Sequence, residues 1–202
     1  MFFCLLLTVG LIFKEKYGTI KKKKRGILMV YYEECSVLIR DLEPGDAQKI
    51  TDGEIAQGWH QSVEKYLSRL QDRDGGKCVS LVAEYEGEVA GYVNLYFSVI
   101  AGPYLGMGYP EIVDFGVLVK YRRRGIGGKL MDAVEKLAEN CADTVTLSVG
   151  LHNGYGSAQR MYVKRGYLPD GTGAWYGKKN WPQYEPCCND DDLVLYFSKK
   201  LK

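Results

Sequence analysis

A cluster of glycines at the start of an amphipathic helix is the feature that most restricts how this chain folds. The sequence from Tyr121 to Ala138 reads YRRRGIGGKLMDAVEKLA, and apolar residues recur at helical spacing after the glycines. Glycine lets a backbone approach a ligand closely, and the first turn of a helix presents unpaired N–H groups and the positive end of the helix dipole. The sequence therefore predicts an anion site here, suited to a phosphate or a pyrophosphate.

Two common phosphate-binding motifs do not fit this turn. A Walker A loop needs Gly-Lys followed by Ser or Thr, whereas Leu130 stands at that position. A dinucleotide fingerprint needs a third glycine, which is again Leu130. The pattern that remains is arginine, two residues, glycine, one residue and glycine. It begins at Arg122 and follows a strand-like run from Ile112 to Val119.

This pattern resembles motif A of the GNAT superfamily of N-acetyltransferases, which binds the pyrophosphate of acetyl-CoA. The resemblance implies that the residues of the turn bind this cofactor: Arg122, Arg123, Arg124, Gly125, Ile126, Gly127 and Gly128. It also implies that the backbone of Phe115, Gly116 and Val117 pairs with the pantetheine arm of the cofactor. We expect Gly116 to mark a distortion of the strand at that point.

A second motif lies closer to the C-terminus. Ala158 stands four residues before Tyr162, and an aromatic residue, Tyr167, follows Gly166. This run resembles motif B of the same superfamily, which implies that Tyr162 donates a proton to the leaving CoA thiolate. Asn153 resembles the asparagine that contacts the cofactor in many members, although an insertion of two residues separates it from Tyr162 here.

Direct transfer of an acyl group to an amine also needs a proton acceptor, because an alkyl amine with a pKa of about 10.4 is protonated at pH 7. Glu111 stands eleven residues before Arg122, an offset that resembles the position of the catalytic glutamate in histone-type acetyltransferases. Asp114 is the competing carboxylate. Regular strand alternation places the two side chains on opposite faces, and we favour Glu111 as the base.

Strand and helix signals in the rest of the chain predict one α/β domain. The predicted strands outside the two motifs are Ser36–Arg40, Cys78–Tyr85, Val89–Phe97, Thr144–Leu151 and Leu193–Phe197. A capping box of Thr51 with Glu54 precedes an apolar helical stripe that ends at Leu70, and Tyr155–Arg165 reads as a short helix. This order resembles the GNAT fold, a single mixed, largely antiparallel sheet flanked by helices.

Residues 1–28 differ from the rest of the chain. Their apolar run, Phe2–Phe13, is too short to span a bilayer, and a basic cluster, Lys21–Arg25, follows it. Purine-rich codons would encode this cluster, so we interpret it as a translated bacterial ribosome-binding tract ahead of a start at Met29. We therefore expect residues 1–28 to be a non-native or poorly ordered extension and residues 29–202 to be the acetyltransferase domain. A short membrane anchor is the alternative.

Composition restricts the partners. A net charge of +2 indicates no nucleic-acid partner, and no membrane association is expected of the domain. The six cysteines show no C-x-x-C spacing, which favours reduced thiols in a cytoplasmic protein and no metal. The minor alternative is a metal bound by Cys187 and Cys188 with Asp190–Asp192 or His152. We expect a monomer or a homodimer.

The sequence thus predicts an acetyl-CoA-dependent N-acetyltransferase that acts on a primary amine of a small molecule or a protein. The loops Ala101–Pro110 and Trp175–Tyr184 are expected to shape the acceptor pocket. Two alternatives belong to other classes. One is a sensor module that binds acyl-CoA without turnover, and the other is a protein that uses Lys21–Arg25 to bind nucleic acid or a membrane surface.

Overall fold

The structure is a computed structural model, and it describes residues 19–23 and 26–201. The expected extension, residues 1–28, therefore lies mostly outside the described residues. Its described part includes strand β1 (Thr19–Lys23), which pairs antiparallel with β2 (Gly26–Glu34). The sequence analysis did not predict these two strands.

The chain divides into two compact units. The first comprises the residues up to Val93 together with 115–133, and the second comprises 94–114 together with 134–202. Two strands, Glu88–Tyr96 and Glu111–Val117, and one helix, Ile126–Ala138, each begin in one unit and end in the other. Each unit is described by itself.

The first unit is built on an antiparallel meander. Its strands lie in the order β1, β2, β3 (Val37–Asp41), β4 (Cys78–Tyr85) and β5 (Glu88–Tyr96). The pairs from β1 to β4 are antiparallel, with Val37 opposite Tyr85 in the last of them. A two-residue turn at Glu86 and Gly87 joins β4 to β5, and both residues have positive φ, at 53° and 84°. These angles suit a tight hairpin turn, as the sequence predicted.

Helix α1 (Pro44–Ala56) begins earlier than predicted. The residue before it, Glu43, forms a capping box with Asp46, whose carboxylate accepts the Glu43 N–H at 2.8 Å. The capping box predicted at Thr51 and Glu54 is wrong, because both residues lie inside the helix. The Thr51 hydroxyl instead donates to a backbone carbonyl of the preceding turn.

Glu54 instead joins three elements in the core of the first unit. It is fully buried, and its carboxylate accepts the hydroxyl of Tyr66 in α2 (Val63–Asp74) and that of Tyr92 in β5, the latter at 2.5 Å. A buried carboxylate is costly unless it is hydrogen-bonded. The two tyrosines therefore make its burial tolerable and hold α1 and α2 to the sheet.

The apolar stripe predicted from Ile55 to Leu70 belongs to two helices rather than one. The helical structure is interrupted between α1 and α2, where Gly58 has a φ of 87°. The break changes which apolar residues reach the core. Three members of the stripe remain exposed, by 57%, 38% and 40%: Ile55, Trp59 and Leu67.

The second unit contains the parallel pair of strands. Strand β6 (Glu111–Val117) pairs in parallel with β7 (Thr144–Gly150), and β7 pairs antiparallel with β11 (Leu193–Lys200). Helix α4 (Gly156–Lys164) follows β7 and ends before Gly166, which has a φ of 86°. Three two-residue strands complete this part: β8 (Leu168–Pro169), β9 (Trp175–Tyr176) and β10 (Lys179–Asn180).

A buried carboxylate ties the helices of the second unit to its strands. Glu135 lies in α3 (Ile126–Ala138) and is 7% exposed. It accepts hydrogen bonds from Arg165 at 2.8 Å and from Lys199 at 2.6 Å. Arg165 follows α4 directly and Lys199 belongs to β11, so the Glu135 side chain links α3, α4 and β11.

The predicted fold class is confirmed. The strands form a mixed, largely antiparallel sheet, with four α-helices in the described part of the chain. Two helices stand between β3 and β4 where the sequence predicted one. None of the helices in residues 19–23 and 26–201 is long and apolar enough to cross a membrane.

Candidate active site

The glycine turn has the backbone geometry of an anion site. Gly125 has a φ of 78°, which glycine adopts without strain, and α3 begins at the next residue. The first hydrogen bond of the helix runs from the Lys129 N–H to the Gly125 carbonyl at 3.1 Å. The N–H groups of Ile126, Gly127 and Gly128 therefore precede the helical ladder, and they point out of the positive end of the helix.

Gly127 and Gly128 have different surroundings, so a side chain is crowded at one and tolerated at the other. A Cβ atom at Gly127 would lie 3.2 Å from the Phe115 ring, so glycine allows α3 to begin close against β6. A Cβ atom at Gly128 would meet nothing within 4 Å. The space over this part of the turn is therefore open for a ligand.

Two of the three arginines in the turn have partners in the first unit. The Arg122 Nε donates to the Val117 carbonyl at 3.1 Å, and its guanidinium lies 5.7 Å from the Trp59 ring. The Arg124 guanidinium lies 4.7 Å from the ring of Tyr85 and donates to its hydroxyl. These contacts hold positive charge beside the turn. Arg123 is exposed and has a φ of 61°, an unusual value for a residue with a side chain.

The predicted distortion of β6 exists, but Gly116 does not carry it. The residue with positive φ is Asp114, at 52°. Such an angle interrupts the regular backbone of a strand, as a bulge does. Glycine at 116 has another cause, because a Cβ atom there would lie 2.7 Å from the Tyr92 ring. Tyr92 is the tyrosine that Glu54 holds, so the core of the first unit requires Gly116.

In the second unit, Glu111 is a buried carboxyl with a raised pKa. It begins β6 opposite Thr146 of β7 and is only 8% exposed. Burial raises the pKa of its carboxyl to about 7, because a low-dielectric environment disfavours the charged form. A carboxyl with this pKa exchanges its proton close to neutral pH.

Asp114, the competing carboxylate, is half-buried, and its positive φ makes the strand irregular there. The alternation argument that separated it from Glu111 does not apply, because the backbone is irregular at Asp114 itself. The pKa of Tyr155 is raised by burial, by its hydrogen bond to Asp191 and, to a smaller extent, by the charge of Asp114. Asp114 thus lies within electrostatic range of the segment before α4.

The segment before α4 forms a short 3₁₀ turn, Asn153–Tyr155, and Asn153 is exposed in it. Two side chains hold this turn to Asp191, namely His152 at 3.0 Å and the Tyr155 hydroxyl at 2.9 Å. The His152 Nδ1 accepts the Gly154 N–H at 3.0 Å, so the neutral ring carries its proton on Nε2 and donates it to Asp191. Both ring nitrogens are used, which indicates a structural role for His152.

Tyr162 lies in α4 and is 5% exposed, with its ring 5.7 Å from that of Tyr167. Its pKa is raised, mainly by burial and also by the neighbouring Tyr155. The hydroxyl therefore stays protonated at neutral pH. This is the state that a proton donor requires.

The two loops expected to shape the acceptor pocket meet at one tyrosine of β11. The Tyr196 ring lies 5.4 Å from the ring of Trp175 and 6.4 Å from that of Tyr104. Gly102 also packs on this ring, since a Cβ atom there would lie 2.4 Å from it. Burial and then the charge of Glu111 raise the pKa of Tyr196 to about 12. Tyr196, where these two loops meet, therefore lies within electrostatic range of the Glu111 carboxylate.

Gln57 was not predicted from the sequence. It lies between α1 and α2, and its side-chain oxygen accepts the N–H of Val119, just before the glycine turn. A signal was present, because Gly58 interrupts a helical pattern at this point. In the described ranges, no three His, Cys, Asp or Glu side chains gather as a metal site.

Comparison with known proteins agrees with this geometry. The model of the acetyltransferase (GNAT) family matches residues 46–167. The L-amino acid N-acetyltransferase AaaT of Escherichia coli (strain K12) is 30% identical over 125 residues, which are 60% of this chain and 71% of the relative.

Solved structures share the fold at low identity. One is RimL, a ribosomal L7/L12 alpha-N-protein acetyltransferase, with a TM-score of 0.66 and 10% identity, over 90% of this chain and 99% of that one. Another is yncA, a putative acetyltransferase from Salmonella typhimurium with its cofactor acetyl-CoA. Its TM-score is 0.61 at 16% identity, over 83% of this chain and 95% of that one. The family model matches more than half of the chain, and the chain therefore belongs to the acetyltransferase (GNAT) family.

Proposed function

We propose that this protein transfers the acetyl group of acetyl-CoA to a primary amine by direct attack of the amine on the thioester. The observation that carries the proposal is the glycine turn, where three N–H groups at the start of α3 precede the helical ladder and the space at Gly128 is open. Phosphate oxygens suit such donors. The solved yncA structure contains acetyl-CoA, which supports the same cofactor here.

The proposed cofactor-binding residues have distinct tasks. The N–H groups of the turn bind the pyrophosphate, and the neighbouring arginines add positive charge. The backbone of 115–117 pairs with the pantetheine arm. The positive φ at Asp114 interrupts the strand just before these residues, which leaves their backbone groups available for such pairing. Asn153 is the remaining candidate for a cofactor contact, from the exposed turn before α4. The cofactor supplies the acetyl group as an activated thioester.

Glu111 is the proposed general base. The amine must lose a proton before or during its attack, and a carboxylate with a pKa of about 7 is basic enough to accept it near neutral pH. Asp114 remains the alternative base, because it is a half-buried carboxylate three residues further along the same strand. Tyr162 is the proposed proton donor to the leaving thiolate, because its raised pKa keeps the hydroxyl protonated.

The acceptor is proposed to be the amine of a small molecule or a protein. The printed names of the relatives include both kinds, an L-amino acid N-acetyltransferase and a ribosomal protein acetyltransferase. Aromatic rings and a buried carboxylate attract cationic ligands. The surroundings of Glu111, with Tyr196 in its electrostatic range, therefore suit an ammonium group that is deprotonated on the enzyme.

The extent and location of the protein complete the proposal. We place the acetyltransferase domain at residues 29–202 and the extension at residues 1–28. The cysteines in the described part are free thiols, which supports a cytoplasmic protein.

Gly128→Asp tests the cofactor assignment. A Cβ atom at position 128 would meet no atom within 4 Å, whereas one at position 127 would lie 3.2 Å from the Phe115 ring. An acidic residue in the first turn stabilises a helix, so the fold should be as stable as the wild type or more so. The same charge repels a pyrophosphate, and CoA affinity measured by calorimetry should fall about ten- to hundredfold.

The matched control is Gly128→Ala, which adds a side chain without charge and should keep CoA affinity. Equal affinity of the Asp variant and the wild type would remove the cofactor assignment. Release of free CoA from acetyl-CoA in the presence of an amine panel separates an enzyme from a sensor that binds without turnover.

A further inference from the structure

The connection between α1 and α2 contacts the segment that leads into the glycine turn. The Gln57 Oε1 accepts the N–H of Val119 at 2.8 Å, across 62 positions of sequence. Two residues further along the connection, the Trp59 ring lies 5.7 Å from the Arg122 guanidinium. Gly53 of α1 packs on the neighbouring Leu118, since a Cβ atom there would lie 2.6 Å from it. All of these contacts lie within the first unit.

The Val119 N–H is the group that needs this partner. Val119 is the first residue of a 3₁₀ turn, Val119–Tyr121, and the first N–H groups of a helical turn have no acceptor within it. The Gln57 carboxamide therefore acts as a cap that comes from another element. The turn it caps ends at Arg122, where the glycine turn begins.

Stability alone does not explain the choice of glutamine. Because its oxygen accepts the Val119 N–H, the orientation of the carboxamide is determined, and Nε2 points the other way. Nε2 is buried without a hydrogen-bond partner. A buried donor left unpaired costs about as much as the other bond returns, so the residue adds little net stability.

We infer that Gln57 is a positioning residue for the cofactor-binding turn, holding Val119 so that the N–H groups of 126–128 point at one place. The inference rests on the proposed function, because it assumes that these groups bind the pyrophosphate of CoA. Gln57 itself acts only through Val119. Removing its oxygen frees the start of the turn and spreads the directions of the N–H groups.

A double-mutant cycle on Gln57 and Val119 tests the inference. Gln57→Met removes the acceptor at similar size, and CoA affinity measured by calorimetry should fall about three- to tenfold, as for one lost hydrogen bond. The midpoint of urea unfolding should change little. Gln48→Met is the matched control, because Gln48 lies on α1, the helix that ends just before Gln57, and its side chain donates to Asp52 on the exposed surface. It should leave both quantities unchanged.

Val119→Pro replaces the hydrogen bond by a covalent constraint. Proline fits the first position of a helical turn, and Leu118 before it has φ −57° and ψ 137°, angles that a residue before proline adopts. The proline Cδ takes the place of the Val119 hydrogen, so the Gln57 side chain must rotate away from it. Because the ring itself holds the backbone of the turn, CoA affinity should stay near that of the wild type. In this background Gln57→Met should have no further effect.

The outcomes are distinct. An affinity loss in Gln57→Met that disappears in the Val119→Pro background supports positioning through Val119. An unchanged affinity in Gln57→Met, or a loss that persists beside proline, overturns it. If the wild-type protein itself does not bind CoA, the proposed function fails instead, so the two failures are distinguishable.

Discussion

At the scale of single residues, burial suits Glu111 and Tyr162 to opposite tasks. Burial disfavours the charged form of a group, so it raises the pKa of both side chains. For Glu111 the resulting pKa of about 7 allows the carboxylate to accept a proton at neutral pH. For Tyr162 the raised pKa keeps a proton available for donation.

The first residue-scale prediction concerns the pH dependence of turnover. If Glu111 is the base, it acts only when ionised, so kcat/KM should rise with pH through an apparent pKa of about 7 and level off above it. Glu111→Gln should remove this step and lower kcat/KM by about 10²- to 10⁴-fold. The measurement is a pH–rate profile with an amine acceptor. Asp114→Asn is the control, and loss of the step in that variant alone would make Asp114 the base.

The raised pKa of Glu111 also makes the stability of the fold depend on pH. The unfolded carboxyl loses its proton near pH 4.5 and the folded one near pH 7, so between these values the folded state binds more protons. The free energy of unfolding of the wild type should therefore fall as pH rises through this window. Glu111→Gln has no such loss and should be relatively more stable above pH 7, by up to about 3 kcal/mol.

Tyr162→Phe tests the proton donor. The variant keeps the buried ring and deletes the hydroxyl, so kcat should fall about 10²- to 10⁴-fold while CoA affinity stays unchanged. Tyr167→Phe is a matched control, because Tyr167 is also buried and its ring lies beside that of Tyr162. A loss of kcat smaller than about fivefold in Tyr162→Phe would leave this tyrosine a packing residue.

At the scale of elements, α1 carries much of the organisation of the first unit. Its N-terminal turn is joined to β3 by Asp46, which accepts two hydrogen bonds from the Arg40 guanidinium at 2.6 and 2.9 Å. The Arg40 Nε also donates to Glu84 of β4 at 2.9 Å. Further along α1, Glu54 binds the two tyrosines. Because α1 leads into the connection that contains Gln57, these anchors also fix where the Val119 N–H is capped.

Arg40→Met tests the first anchor. Arg40 and Asp46 are each 3% exposed, so the variant leaves a buried carboxylate without its partner. Breaking a buried ion pair from one side typically costs about 3–5 kcal/mol of unfolding free energy. Lys77→Met is the control, because its ion pair with Asp72 involves a lysine side chain that is 68% exposed. That variant should lose at most about 1 kcal/mol by urea unfolding, and equal losses in both would contradict the prediction.

At the scale of the whole molecule, most elements could be predicted because their signals are local. Strands β4 to β7 lie within two residues of their predicted bounds, and helix α3 begins among the glycines as predicted. Each has either clear periodicity or a glycine at its end. The glycine turn was predicted for the same reason, since the angle at Gly125 and the free N–H groups depend only on neighbouring residues. The failures include the single helix predicted through Gly58, the capping box at Thr51 and Glu54, and the missing strands β1 and β2.

The sequence by itself determined the family, the fold class and the place of the glycine turn, because periodicity and turn chemistry act over a few residues. Only the tertiary structure decided the pKa of Glu111, the irregular backbone at Asp114 and the contact of Gln57 with Val119. Burial and hydrogen bonding between distant segments are set when the chain closes on itself. The two atoms of the Gln57 contact are 62 residues apart in sequence, and no local pattern encodes such a distance.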